Sequence, residues 1–221
     1  MIVLHYTGMP GADQALAWLC SEQSEVSAHY FVFEDGRIVQ MVEEDRRAWH
    51  AGAAGWAGET DINSRSIGIE IANIGDEGGL PPFPDAQIDA LIGLCRDITG
   101  RHAIPAHRLL AHSDVAPDRK RDPGQAFPWD RLASEGVGHW VEPEPVSGGA
   151  ALAPGDKGEP VAALQGLLAL YGYALTVSGV FDARTSHVVT ALQRHFRTEK
   201  IDGIADASTL TTLRRLLAAL P

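Results

Sequence analysis

Short apolar runs rich in β-branched and aromatic side chains, bounded by turn signals, occupy residues 2–6, 28–33, 37–42 and 67–72, the last alternating Ile67, Ile69 and Ile71 with Gly68, Glu70 and Ala72. They predict four strands. Between the second and third, HYFVFEDGRIVQMV carries Asp35-Gly36, a dipeptide that suits a tight hairpin because it tolerates positive φ. Residues 12–20 and 85–99 change to helical spacing, the second with Ile88, Leu91, Ile92 and Cys95 at i, i+3, i+4 and i+7. Strands interleaved with helices predict an α/β (α+β) domain, a mixed central β-sheet flanked by helices.

Around residues 141–158 the chain turns to Pro, Gly, Ala and Ser, the composition of a linker. Beyond it only helical spacing remains, over 161–171, 183–196 and 207–217. The last two of these helices follow an internal echo: GVFDART from Gly179 and GIADAST from Gly203 both read Gly-x-x-Asp-Ala-x-Thr, with Asp182 and Asp206 placed as N-caps. The organisation expected is a domain over 1–142, a linker over 143–153 and a small three-helix domain over 154–221.

Composition narrows the function classes. The 221 residues carry a formal charge of −11, which argues against a nucleic-acid partner, because phosphate binding needs clustered Lys and Arg. No apolar run approaches the ~18 residues of a membrane span. Cys20 and Cys95 lie singly inside apolar helical patterns and read as buried thiols. MIVLHYTGMP lacks the basic and apolar regions of a signal peptide and reads as a first strand, so a cytoplasmic chain is expected as written, or one in the periplasm or cell envelope if an upstream segment is missing. A monomer is expected.

The chemistry gathers in LLAHSDVAPDRKRDPGQAFPWD, residues 109–130, which reads as a non-helical loop. His112 and Asp122 lie too far apart for adjacent helical turns, so the loop itself must bring them together, and Pro117 and Pro123 restrict its backbone. A catalytic zinc site wants three protein ligands and an open position, so a third donor is required. His5, on the face of its strand opposite Ile2, Leu4 and Tyr6, is the best candidate, although a lone strand histidine is commoner as a satisfied core residue. Glu70 shares a strand face with Gly68 and Ala72, whose small side chains would leave room for a substrate; the bland reading is a carboxylate on a solvated sheet face. RRAWHAGAAGW supplies Trp49 and His50, as a packed loop or as an aromatic and imidazole rim for a sugar or peptide. His29 reads as structural.

Taken in order, LHYT, VSAHYFVFEDGRIVQ, AWHAG, SIGIEIAN and AHSDVAPDRKRDPGQAFPW resemble the zinc-dependent N-acetylmuramoyl-L-alanine amidases of the AmpD/AmiD type (amidase_2 family), relatives of peptidoglycan recognition proteins. The resemblance covers nearly all of residues 2–132. It implies that His5, His112 and Asp122 bind Zn²⁺, that Glu70 is the general base, that Lys120 stabilises the oxyanion, and that His50 lies in the substrate pocket; Trp49 and Asn73 are further candidates for substrate binding. Some relatives carry a catalytic Tyr where this chain has Ala28, so no tyrosine role is carried over. The tail is similar to a three-helix peptidoglycan-binding domain. The implied activity is hydrolysis of the amide between N-acetylmuramic acid and L-alanine in peptidoglycan or (anhydro-)muropeptides, the alternative being a non-catalytic peptidoglycan recognition protein. A targeting tail is expected to be separable: removal of 143–221 should spare cleavage of soluble muropeptides and weaken binding to sacculi.

Overall fold

The computed structural model describes residues 1–221. Five strands, β1 (Ile2–Tyr6), β2 (Tyr30–Val32), β3 (Ile38–Gln40), β4 (Ile67–Ile71) and β5 (Leu109–Ala111), form one mixed sheet in the order β3-β2-β4-β1-β5. β1 runs parallel to β4 and β5, and β2 runs parallel to β4. The antiparallel pair is the expected β2–β3 hairpin, closed by Phe33 N–H donating to Arg37 O, with Gly36 at φ +86°.

One sheet face is hydrocarbon. Ile2, Leu4, Tyr30, Val32, Ile67, Ile69 and Ile71 pack against Ile88, Leu91, Ile92, Cys95 and Ile98 of α3 (Asp85–His102), the stripe expected from its spacing. The opposite face is shared. Phe31, Phe33 and Ala72 take α1 (Ala12–Leu19) through Ala15, while Val3, Leu110, Ala51, Trp56, Ile62 and Val115 join the core of the C-terminal helices α6 (Glu159–Tyr171), α7 (Ala183–Phe196) and α8 (Ala207–Ala218). His5 and Glu70 occupy the same face.

Several sequence expectations change. β1 fills its run, whereas β2, β3 and β4 are shorter than theirs, and β5, α2 (Ile62–Arg65) and α5 (Trp129–Ser134) were not anticipated, each being too short to display a period. The segment 109–130 is not helix-free: His112–Val115 forms the single turn α4. Cys20 is exposed, because α1 ends at Leu19 and leaves Cys20 in a turn; Cys95 is buried as expected. Nor does the tail hang free. Glu144 is fastened to α8 by its N–H on Thr212 Oγ1 (3.0 Å) and by Ser208 Oγ on its carbonyl, and Leu152 bridges Ala205. The C-terminal helices and one sheet face therefore share a continuous core, so removal of 143–221 would also uncover apolar residues of the sheet face.

Candidate active site

Parallel register sets His5 of β1 directly beside Glu70 of β4, and Glu70 beside Phe31 of β2. His5 and Glu70 stand near the carboxyl ends of their strands, and His112 follows the end of β5 at once. Carboxyl ends of parallel strands are where open α/β sheets bind ligands, because the chain diverges there and leaves a crevice. Asp122 returns to this point because Ser113 N–H donates to its carbonyl (3.1 Å) and Lys120 N–H donates to Ala116 O (3.0 Å). The Asp122–Pro123 peptide is cis.

His5 Nδ1 lies 2.8 Å from His112 Nδ1 and 3.1 Å from Asp122 Oδ2, and His112 Nδ1 lies 2.9 Å from the same oxygen. All three residues are buried. Their hydrogen bonds fix the tautomers. Ser66 Oγ–H donates to Ile62 O, so Ser66 accepts from His50 Nε2–H at 3.2 Å. His50 Nδ1 then accepts from His5 Nε2–H at 3.0 Å, which leaves His5 Nδ1 as a lone pair. His112 Nε2–H donates to Ala51 O at 3.1 Å, and its Nδ1 is likewise a lone pair. Two lone pairs and a carboxylate oxygen converging on one point repel one another unless a cation lies among them. This donor set of two imidazoles and one carboxylate fits a divalent metal with an open position.

Electrostatics separate the carboxylates. Burial pushes Asp122 upward; positive charge at the His112 and His5 imidazoles, as protons or as a cation shared with their lone pairs, outweighs it and holds the carboxylate below the usual range. Burial lowers His5 to about 4, with His112 adding to the shift. Glu70 moves the other way: burial, then the charge of Asp122, raise it well above an ordinary glutamate against the pull of Lys120. One of its oxygens, Oε2, is buried without a partner. Two neighbouring carboxylates pushed apart in this way suit an anionic ligand and a proton carrier.

His5, His50, Glu70, His112, Lys120 and Asp122 line one groove of about 630 Å³. Trp49 and Asn73 do not. Trp49 is 57% exposed with the Arg47 guanidinium over its ring, and Asn73 is spent on the loop that follows β4, accepting from Gly75 N–H and donating to Pro81 O. The aromatic rim comes instead from Trp18, on a helix whose amphipathic pattern concealed it. Gly68 does not make room for substrate. A Cβ there would fall 2.4 Å from His50 Cγ, so the missing side chain accommodates the His50 ring. His29 is structural, accepting from Gly68 N–H and donating to Arg46 O. Sequence reasoning missed Ser66 and Arg119; the latter ties the two loops together through the carbonyls of Ala51 and Ala53.

The family model for N-acetylmuramoyl-L-alanine amidases matches residues 1–125, and that for a peptidoglycan binding domain matches residues 157–213. The chain is 40% identical to the N-acetylmuramoyl-L-alanine amidase AmiD of Escherichia coli (strain K12), over 98% of this chain and 82% of that one. It is 42% identical to the 1,6-anhydro-N-acetylmuramyl-L-alanine amidase AmpD of the same organism over 48% and 56%. A solved complex of E. coli AmiD with anhydro-N-acetylmuramic acid-L-Ala-D-γ-Glu-L-Lys superposes with a TM-score of 0.84 at 39% identity, covering 99% of this chain and 88% of that one. AmpDh3 of Pseudomonas aeruginosa in complex with anhydromuramic pentapeptide superposes with a TM-score of 0.83 at 31% identity, covering 100% and 92%.

Proposed function

The chain belongs to the N-acetylmuramoyl-L-alanine amidase family, and on that premise we propose that it hydrolyses the amide between N-acetylmuramic acid and L-alanine in peptidoglycan or anhydro-muropeptides, with zinc held by His5, His112 and Asp122. The observation that carries the metal assignment is the convergence of two imidazole lone pairs and one carboxylate oxygen. Zinc held there would supply Lewis acidity, polarising a carbonyl oxygen and lowering the pKa of a water to about 7.

The remaining chemistry belongs to side chains. Glu70, beside His5 and with an unpartnered oxygen, takes the proton of the attacking water and returns it to the leaving nitrogen of L-alanine. Lys120 lines the same groove and offers a positive charge to the oxyanion that develops on the scissile carbonyl. His50 and Ser66 keep the proton on His5 Nε2, so that Nδ1 stays free to bind. Trp18 gives the groove an exposed aromatic edge for the sugar or stem peptide. Trp49 and Asn73, engaged elsewhere, are not part of the proposed site.

We assign residues 1–142 to the catalytic unit and 154–221 to a peptidoglycan-binding unit, joined by 143–153. A second contact with polymeric wall raises the effective concentration of scissile bonds. The test is mass spectrometry of products from a 1,6-anhydro muropeptide and from intact sacculi, using protein as purified, after chelation and after zinc return. Zinc-dependent release of a peptide that begins with L-alanine supports the reading. No release from either substrate by zinc-loaded protein would overturn it in favour of a recognition protein.

A further inference from the structure

α4, the single turn that begins with His112, is too short to persist without tertiary support. That support comes from the other end of the chain. Asp114, in the middle of the turn, is fully buried, and its carboxylate accepts three hydrogen bonds. One is local, from Ala111 N–H to Oδ2 at 2.8 Å, and it secures the backbone just before His112. The other two come from the C-terminal unit: Tyr173 Oη–H donates to Oδ1 at 2.8 Å and His195 Nδ1–H donates to Oδ2 at 2.7 Å. The His195 ring is itself fixed, stacked between Trp129 of α5 and Phe196, with both ring centroids 3.7 Å away.

The same unit grips the outer support of His112. Ala51 O, which receives His112 Nε2–H, opens a loop whose continuation is tied to the C-terminal unit by Ala57 N–H on Gly172 O (2.7 Å). Trp56 lies so close over Gly172 that a Cβ there would fall 2.5 Å from its ring. Targeting to the wall requires none of these contacts with the metal-binding turn.

Resting on the metal assignment above, we propose that Tyr173 and His195 are positioning residues for the amidase reaction: through Asp114 they hold the turn that presents His112, so the peptidoglycan-binding unit is also a structural part of the metal centre. Without them Asp114 keeps a buried charge with two donors missing, and the turn must rearrange to hydrate it. The step affected is metal retention and alignment rather than capture of polymer.

The test uses the full chain. H195F keeps an aromatic ring between Trp129 and Phe196 but removes the N–H, Y173F removes one hydroxyl, and H195N restores a donor near the Nδ1 position. L213A, in the buried core of the C-terminal unit, is a control that lowers stability without touching Asp114. Zinc release to a chelator and the kcat and KM for a short soluble muropeptide are measured on each folded variant. H195F and Y173F should release zinc ~10-fold or more faster, within the range for residues that support metal ligands. They should lose kcat with KM unchanged, and H195N should recover both. Wild-type release and kcat in H195F and Y173F, failure of H195N to recover, or an equal effect in L213A would overturn the inference. Wild-type protein that takes up no zinc would overturn the metal assignment, and the inference with it.

Discussion

In the C-terminal helices, Gln165 and Gln193 are fully buried, and each uses its whole amide. Gln165 Oε1 accepts from Ser178 and Gly179 N–H while its Nε2 donates to Val180 O and Thr185 Oγ1; Gln193 does the same with Asp202, Gly203, Ile204 and Thr209. On the sheet face the polar atoms are equally buried but left open: Glu70 Oε2 has no partner, and two imidazole lone pairs face each other at 2.8 Å. Both regions spend free energy to bury polar groups. The helical joints recover it inside the chain, whereas the sheet face recovers it from a ligand.

Four variants would break or sharpen this contrast. The largest effect is expected for Glu70→Gln, which should lower hydrolysis by ~10²–10⁴-fold while zinc content stays at one per chain; near-normal rates in a product assay would remove Glu70 as the base. Gln193→Leu should do the reverse. It strands the N–H groups of Asp202 and Gly203, so urea unfolding should report a loss of ~2–3 kcal/mol with the rate per folded molecule unchanged. If that rate fell with it, the joints would belong to the site.

Gly68→Ala tests the boundary between the two regions. The added methyl displaces the His50 ring and breaks the relay to His5, and chelator competition should report zinc affinity weaker by ~10–100-fold. Unchanged affinity would mean that His50 does not support His5. The smallest effect concerns Glu44, held down to about 2 by the Arg101 guanidinium together with Tyr30 and His102. Its folded pKa lies below the unfolded value of ~4.3, so its contribution is present above that pH and lost as pH falls towards 2. Glu44→Gln should therefore lower stability near neutrality and flatten the decline below pH ~4, without altering the zinc site. An unchanged acid limb in thermal melts would refute this.

The fold was legible where periods are long. The stripe Ile88–Leu91–Ile92–Cys95 and the twin Asp caps at 182 and 206 are local patterns, and the structure realises both. β5, α4 and α5 are too short to carry a period, and a three-residue strand is specified by its neighbours. The convergence of His5, His112 and Asp122 was readable from residue types and from the ordered motifs of the family. Ser66, Gly68 and Asp114 were not, because their roles exist only through contacts made across the fold. Cys20 was misplaced because a helical spacing does not reveal where the helix stops.

Every role assigned to the sheet face depends on a metal bound by two histidines and one aspartate, with His50 in support rather than in contact. Zinc K-edge X-ray absorption on stoichiometrically reconstituted protein tests this directly. Two imidazoles and an oxygen-containing shell at about 2.0–2.1 Å are expected. A sulfur shell near ~2.3 Å or a third imidazole would contradict it.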